Sequence, residues 1–281
     1  MKIFTTIKEI QSELQQLHIA KNTVGFVPTM GALHEGHLEL IRRSVRENSI
    51  TVSSIFVNPT QFNNSDDLAK YPRTEKIDSG MLEKNNCDIV FIPSVDEMYP
   101  SKDLLEINFG VMETVMEGAF RPGHFKGVAT VVKKLFDIVQ PDIAYFGEKD
   151  FQQLTIIRSL VKQLNLKIKI TGCKTVREKD GLAMSSRNIH LTEGERKNAS
   201  VIHQALLAAK DSYLKNIALS EIKKNVSDEI EKTNLFRVQY FEIVNGETLE
   251  PIEKTSYSIS AQACIAILTS KTRLIDNIAF N

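Results

Sequence analysis

The stretch Pro28 to His37, PTMGALHEGH, restricts what this chain can fold into more than any other. The apolar run Val24-Gly25-Phe26-Val27 before it reads as a buried parallel strand. Pro28 reads as the stop of that strand, because proline cannot donate to a central ladder. Gly31 and Gly36 allow a tight turn and a close approach of backbone to ligand. From about Glu35, Leu38, Ile41 and Val45 recur at helical spacing. The stretch is therefore a strand, a turn and a helix, with His34 and His37 at the helix mouth. Unpaired N–H groups point outward there and the helix dipole favours an anion. Either histidine alone could be structural, and the glycines could serve the turn alone. Histidines at i and i+3 could ligate zinc, but there is no H-E-x-x-H and no cysteine nearby. Both imidazoles together, in a glycine-framed turn after a strand, favour a nucleotide phosphate.

Length and charge narrow the setting. A chain of 281 residues, 42% hydrophobic and 25% charged, has the composition of a soluble globular protein of one or two domains. Lys+Arg and Asp+Glu both number 35, so no global field draws the chain to nucleic acid or to an anionic membrane. An anionic substrate must be held by local charges. The N-terminal segment carries no apolar leader, and no run has the length of a membrane span. Cys87, Cys173 and Cys264 are odd in number and widely spaced, against a disulfide framework or a CxxC metal site. A cytoplasmic location is the default expectation.

Further strands are expected at 50–57, 88–93, 142–146 and 166–170, alternating with helices over 7–17, up to about Asn85, over 127–139 and over 154–164. The segments 63–67 and 93–103 read as loops. In an open α/β sheet, ligands sit beyond the carboxyl ends of the strands. Asn58 and Gln61 follow the second strand, and Gly147, Lys149, Asp150 and Gln153 follow the strand 142–146. An ammonium at such a strand end can bridge phosphate oxygens. Glu148-Lys149-Asp150 is otherwise an ordinary exposed trio, and its place after a strand favours function. After a turn at Gly181, Met184-Ser185-Ser186-Arg187 offers two hydroxyls and a guanidinium in a polar segment expected to be mobile. The pattern is that of an α/β protein with a Rossmann-like parallel sheet and helices on both faces. A boundary near 176–190 divides residues 1–176 from a smaller C-terminal α+β domain, 177–281. In that domain, Thr192 with Glu195 reads as a capping box for a helix to about Leu214, and Ser220 as the cap of another. Strand-like runs follow at 237–244, 261–268 and 273–278, with no site-type motif apparent.

The spacing H-x-G-H is similar to that of the nucleotidylyl-transferase superfamily, which includes class I aminoacyl-tRNA synthetases. The longer blocks PTMGALHEGH, FVNPTQF, YPRT, RPGHFKGVATVV, FGEKDFQQL, TVREKDGLAMSSRN and LIDN resemble the pantothenate synthetase family, in its order and over nearly the whole chain. The departures are Lys126 in place of arginine, Lys174 in place of proline and His190 in place of tyrosine.

The resemblance implies ATP-dependent joining of pantoate and β-alanine through a pantoyl adenylate, with release of AMP and pyrophosphate. It implies that His34, His37, Lys149, Ser185, Ser186 and Arg187 hold the phosphates, with His37, His34, Lys149 and Arg187 carrying the chemistry. Met30, Gly147, Asp150, Val176 and Met184 then complete the ATP site, Val176 near the adenine. Gln61 and Gln153 grip pantoate, with Asn58 beside them. A magnesium ion (Mg2+) bridging the phosphates is expected, with Asp78 as a ligand, and the family suggests a homodimer. A cytidylyltransferase would share H-x-G-H but not the Gln61/Gln153 pair. A regulatory nucleotide-binding module would be expected to have lost His37, Lys149 or Arg187, and all three are present.

Overall fold

The computed structural model describes residues 1–63, 68–69, 71–101, 105–256 and 258–280. Most of the loop expected at 63–67, and the end of the stretch 93–103, lie outside the described residues. Strands β1 (Lys2–Phe4), β2 (Val24–Thr29), β3 (Ile50–Ile55), β4 (Ile89–Phe91), β5 (Ile143–Gly147) and β6 (Lys169–Cys173) form one parallel sheet in the order β1-β4-β3-β2-β5-β6. The order reverses at β2: β3 and β4 lie to one side of it, β5 and β6 to the other. A crevice opens at such a reversal, beyond the carboxyl ends of β2 and β5.

Alternate strand residues face opposite ways, and each face has its own helices. Phe26, Val52, Ile89, Phe91, Ala144 and Phe146 pack with α1 (Ile7–Ile19), α6 (His124–Val139) and α7 (Phe151–Gln163). Val27, Ile55, Val90 and Tyr145 pack with α2 (Glu35–Glu47) and α3 (Glu75–Lys84). Two short helices, α4 (Val95–Met98) and α5 (Glu117–Phe120), lie in the connections.

A second core draws on Leu182 and later residues. Helices α9 (Ser200–Leu214) and α10 (Leu219–Glu231) cover one face of an antiparallel sheet of β7 (Arg237–Asn245), β8 (Ala261–Leu268) and β9 (Arg273–Ala279). Phe241, Ile243, Ala263, Ile265 and Leu274 point to those helices. The opposite face carries Tyr240, Cys264, Arg273 and Asn277, which line the crevice of the first sheet.

The sequence reading differs from the structure at several boundaries. Pro28 does not stop β2: it pairs in register with Ser54 and the strand runs on to Thr29. Pairing with β5 ends at Phe26, so the last part of β2 is edge-like on that side, where a missing N–H is tolerated. Strand β6 lies at 169–173 rather than 166–170, in register with β5 from Ile143↔Lys169. Within the loop-like stretch 93–103, Ser94 caps α4 by accepting the Glu97 N–H. The capping box of Thr192 and Glu195 forms, but it opens a short helix α8 (Glu193–Asn198), with α9 following after Ala199. Ser220 is not the cap of α10, which starts one residue earlier behind Ala218.

Candidate active site

The turn after β2 is held from behind. Gly31 has φ +79°, in the left-handed region that glycine enters without strain, and Ala32 follows at φ +49°. Asp78, 1% exposed, accepts the N–H groups of Ala32 (3.0 Å) and Leu33 (2.9 Å) and the Thr74 hydroxyl (2.9 Å). Asp78 was expected beside a metal; here both its oxygens are committed to the turn, outside the cleft-lining residues. It buckles the turn from behind.

The turn delivers His34 as the N-cap of α2. His34 Nδ1 accepts the Gly36 N–H at 3.1 Å, and His37 Nδ1 accepts the His34 N–H at 3.3 Å, a capping box built from two histidines. The rings are 4.1 Å apart between centroids. Gly36 also leaves room for the His34 ring, which a Cβ there would meet at 2.8 Å and push aside. An Nδ1 that accepts from an amide carries no proton, so both rings are tautomers that present Nε2–H. Their basicity agrees. Burial, then the Lys149 charge, lower the His34 pKa, while Asp150 opposes. Burial, then His34, push His37 down to about 3. Near neutral pH the mouth of α2 thus offers two uncharged donors in addition to its own N–H groups.

Lys149 comes from the other side of the strand reversal, in the 3-10 turn Glu148–Asp150 that ends β5. Its ammonium lies 3.9 Å from Asp150. The amide of Asn277 on β9 donates to the carbonyls of Glu148 (2.9 Å) and Lys149 (2.8 Å). Next to it, Asp276 takes both guanidinium nitrogens of Arg177 at 2.6 and 2.9 Å. Arg177 pairs with Ala183 across a hairpin that turns at Gly181 (φ +95°) and leads to the 3-10 helix Ser186–His190. Asn188 donates to Glu178 (3.0 Å) and the Ala183 carbonyl (3.1 Å), while Arg196 grips Glu178 and Asp180. Ser185 Oγ accepts the Arg187 N–H at 3.3 Å. The Arg187 side chain makes no hydrogen bond or ion pair among the described residues.

Deeper in, Gln61 is 8% exposed; its amide donates to Met30 Sδ (3.0 Å) and accepts from Asn58 (3.1 Å). Asn58 is saturated: it also donates to the Gly127 carbonyl (3.2 Å) and accepts from Tyr99 Oη (2.8 Å) and Thr60 Oγ1 (3.1 Å). It therefore sets the orientation of Gln61 and has nothing left for a ligand. His124 Nδ1 lies 2.8 Å from the Gln61 carbonyl, and burial with the Arg121 charge pushes its pKa down to about 4. Gln153 lines the cleft, its amide without a hydrogen bond among the described residues.

A single cleft of about 690 Å3 joins these parts. Met30, His34, His37, Asn58, Gln61, Gly147, Lys149, Asp150, Gln153, Val176, Met184, Ser185, Ser186 and Arg187 all line it; Asp78 does not. The sequence reading missed the share taken by the C-terminal sheet. Arg273 reaches from β9 to the buried Glu117 (Nη1 to Oε2, 2.7 Å), which also accepts from Tyr240 (2.7 Å). Burial works to raise the Glu117 pKa, but Arg273 and Tyr240 outweigh it and hold the carboxyl below its usual range. The block LIDN with the arginine before it was the available signal, since Arg273, Asp276 and Asn277 put three polar residues in a short strand.

A parallel sheet reversing at β2, a helix mouth lined with N–H donors and a facing lysine define the class of nucleotide-binding α/β proteins. Comparison with known proteins narrows the class. The family described as pantoate-beta-alanine ligase matches residues 2–279. Pantothenate synthetase from Bacteroides thetaiotaomicron is 52% identical over 280 residues, covering 100% of this chain and 99% of the relative. The crystal structure of pantothenate synthetase from Thermus thermophilus superposes with a TM-score of 0.92 at 41% identity, covering 100% and 99% of the two chains. Pantoate-beta-alanine ligase from Francisella tularensis, complexed with "Beta-gamma ATP and Beta-alanine", gives 0.83 at 37% identity, covering 100% and 98%. The chain belongs to the pantoate–β-alanine ligase family, enzymes that join pantoate to β-alanine.

Proposed function

We propose that this cleft makes pantothenate from pantoate and β-alanine, driven by ATP and passing through a bound pantoyl adenylate. The observation that carries the reading is the pair of uncharged imidazoles at the mouth of α2, each with Nε2–H left to donate. The triphosphate lies over that mouth, with Lys149 on the β5 side and Ser185, Ser186 and Arg187 reaching from the hairpin side. Met30, Gly147, Asp150, Val176 and Met184 supply the remaining walls of the ATP site. Pantoate lies between the amides of Gln61 and Gln153, with Asn58 holding Gln61. Residues 1–176 are the ATP- and pantoate-binding domain, and 177–281 close it from above.

The chemistry needs positioning and charge stabilisation more than a nucleophilic side chain. A pantoate carboxylate oxygen bonds to the α-phosphorus as the bond from that phosphorus to pyrophosphate breaks. Negative charge builds on the non-bridging oxygens and the leaving pyrophosphate, facing the imidazole donors, Lys149 and Arg187. The amine of β-alanine then bonds to the acyl carbon, the acyl C–O bond breaks, AMP leaves with that oxygen, and the amine proton goes to solvent. Among the described residues no group of three or more His, Cys, Asp or Glu could hold a metal ion. Magnesium bound with ATP would neutralise part of the phosphate charge.

Three buried free cysteines support a reducing, cytoplasmic setting. Among the described residues, no helix is long and apolar enough to cross a membrane. The family suggests a homodimer, which sedimentation velocity tests. The reaction order is tested by exchange of labelled pyrophosphate into ATP. Exchange should require pantoate and proceed without β-alanine; exchange that requires β-alanine, or none at all, contradicts a separate adenylate step.

A further inference from the structure

The C-terminal sheet shapes the site through a residue whose own polar groups are all occupied. Asn277 on β9 is 7% exposed and uses each function of its amide once. Both N–H groups donate to the 3-10 turn, to the carbonyls of Glu148 (2.9 Å) and Lys149 (2.8 Å). Its oxygen accepts Gln262 Nε2 at 2.7 Å, which fixes the orientation of the amide. It borders the cleft with both of its donors committed to the turn. A three-residue 3-10 turn has little stability of its own, so its geometry is set by what its carbonyls bind. The turn carries Lys149. The adjacent Asp276 holds Arg177 at the base of the hairpin that carries Ser185 to Arg187. Two neighbouring residues of one strand thus fix the two cationic arms of the cleft relative to each other.

We infer that Asn277 is a positioning residue for Lys149, setting where its ammonium meets the phosphates; the inference rests on the reading of Lys149 as a phosphate ligand. Asn277→Leu removes the two donors, and Asn277→Asp sets a carboxylate against two carbonyl oxygens. Both should lower kcat for adenylate formation by roughly 10–100-fold, the scale of a displacement of about 1 Å at a reacting group. The KM for pantoate, which depends on Gln61 and Gln153, should stay at its wild-type value.

The decisive experiment is a double-mutant cycle on the full chain, with melting curves for every variant. If Asn277 acts through Lys149, Asn277→Leu should slow the wild-type enzyme and have no further effect on Lys149→Ala. Gln262→Met, which frees the Asn277 amide but keeps it, should give a smaller loss that also vanishes in Lys149→Ala; it decides the question if the Asn277 variants do not fold. Folded Asn277 or Gln262 variants with wild-type kcat, or a loss equally large without Lys149, overturn the inference alone. Wild-type kcat in Lys149→Ala overturns the reading of Lys149 and the inference with it.

Discussion

Replacing His37 with alanine separates chemistry from folding, because the ring has two jobs of unequal size. Its Nδ1 accepts one backbone N–H at 3.3 Å, a long bond within a helix cap. Loss of a cap costs about 1 kcal/mol, and the His34 N–H can still turn to water at the half-exposed mouth. In a chain of this size that shifts Tm by roughly 2–4 °C. In the proposed reaction its Nε2–H would face charge that grows only as the α-phosphate is attacked. Loss of one such preorganised donor costs about 3–4 kcal/mol, or 10²–10³ in kcat. The account therefore predicts a variant that melts close to wild type and turns over about a hundredfold or more slowly. Single-turnover consumption of ATP with pantoate, beside a melting curve, measures both. A folded His37→Ala enzyme with kcat within a few-fold of wild type refutes the role. A loss of activity that merely follows a loss of folded protein refutes it equally. His34→Ala should weaken ATP binding more than kcat.

Three other outcomes follow from the same geometry. His37 and His124 have folded pKa values of about 3 and about 4 against 6.5 when unfolded, so below pH 6.5 the unfolded chain binds more protons. Stability present above pH 6.5 should fall by up to about 1.4 kcal/mol per pH unit per histidine towards pH 4; denaturant melts that show no decline over that range would count against neutral buried rings. Asp78→Ala leaves the Ala32 and Leu33 N–H groups without their acceptor, which should cost about 1–3 kcal/mol for each one left unpaired; a variant as stable as wild type would mean that Asp78 does not buckle the turn. Arg187→Lys keeps the charge but loses the planar fork, so kcat/KM for ATP should drop clearly, and an unchanged value would argue against bidentate phosphate contact.

Much of this site is legible in the sequence because its parts sit at strand ends. Strand-then-polar-turn patterns locate Pro28 to His37, Asn58 to Gln61 and Gly147 to Gln153 without reference to tertiary structure, and the sheet order sets those three ends side by side at β2, β3 and β5. What is not legible depends on partners far away in the chain. Asp78 enters the sequence reading only as an expected metal ligand, while the N–H groups that hold it lie more than forty residues away. Asn58 reads as a substrate ligand, but Tyr99 and Gly127 occupy it. Arg273, Asp276 and Asn277 lie in an edge strand whose alternation marks only that one face is buried. That its other face meets the cleft follows from the packing of two sheets, which no local pattern encodes. Pro28 and Ser220 misled for a smaller reason: local propensity yields to where the ladder and the helix actually end.

The most direct test of the central claim follows one oxygen atom. With pantoate labelled with oxygen-18 in its carboxylate, incubation with ATP and magnesium alone should yield a bound, labelled pantoyl adenylate. On addition of β-alanine, part of the label should appear in the phosphate of AMP, carried by the oxygen that attacked the α-phosphorus. Label found in inorganic phosphate would indicate an acyl phosphate, and AMP free of label would mean that the carboxylate never attacks that phosphorus. Either result would contradict the account.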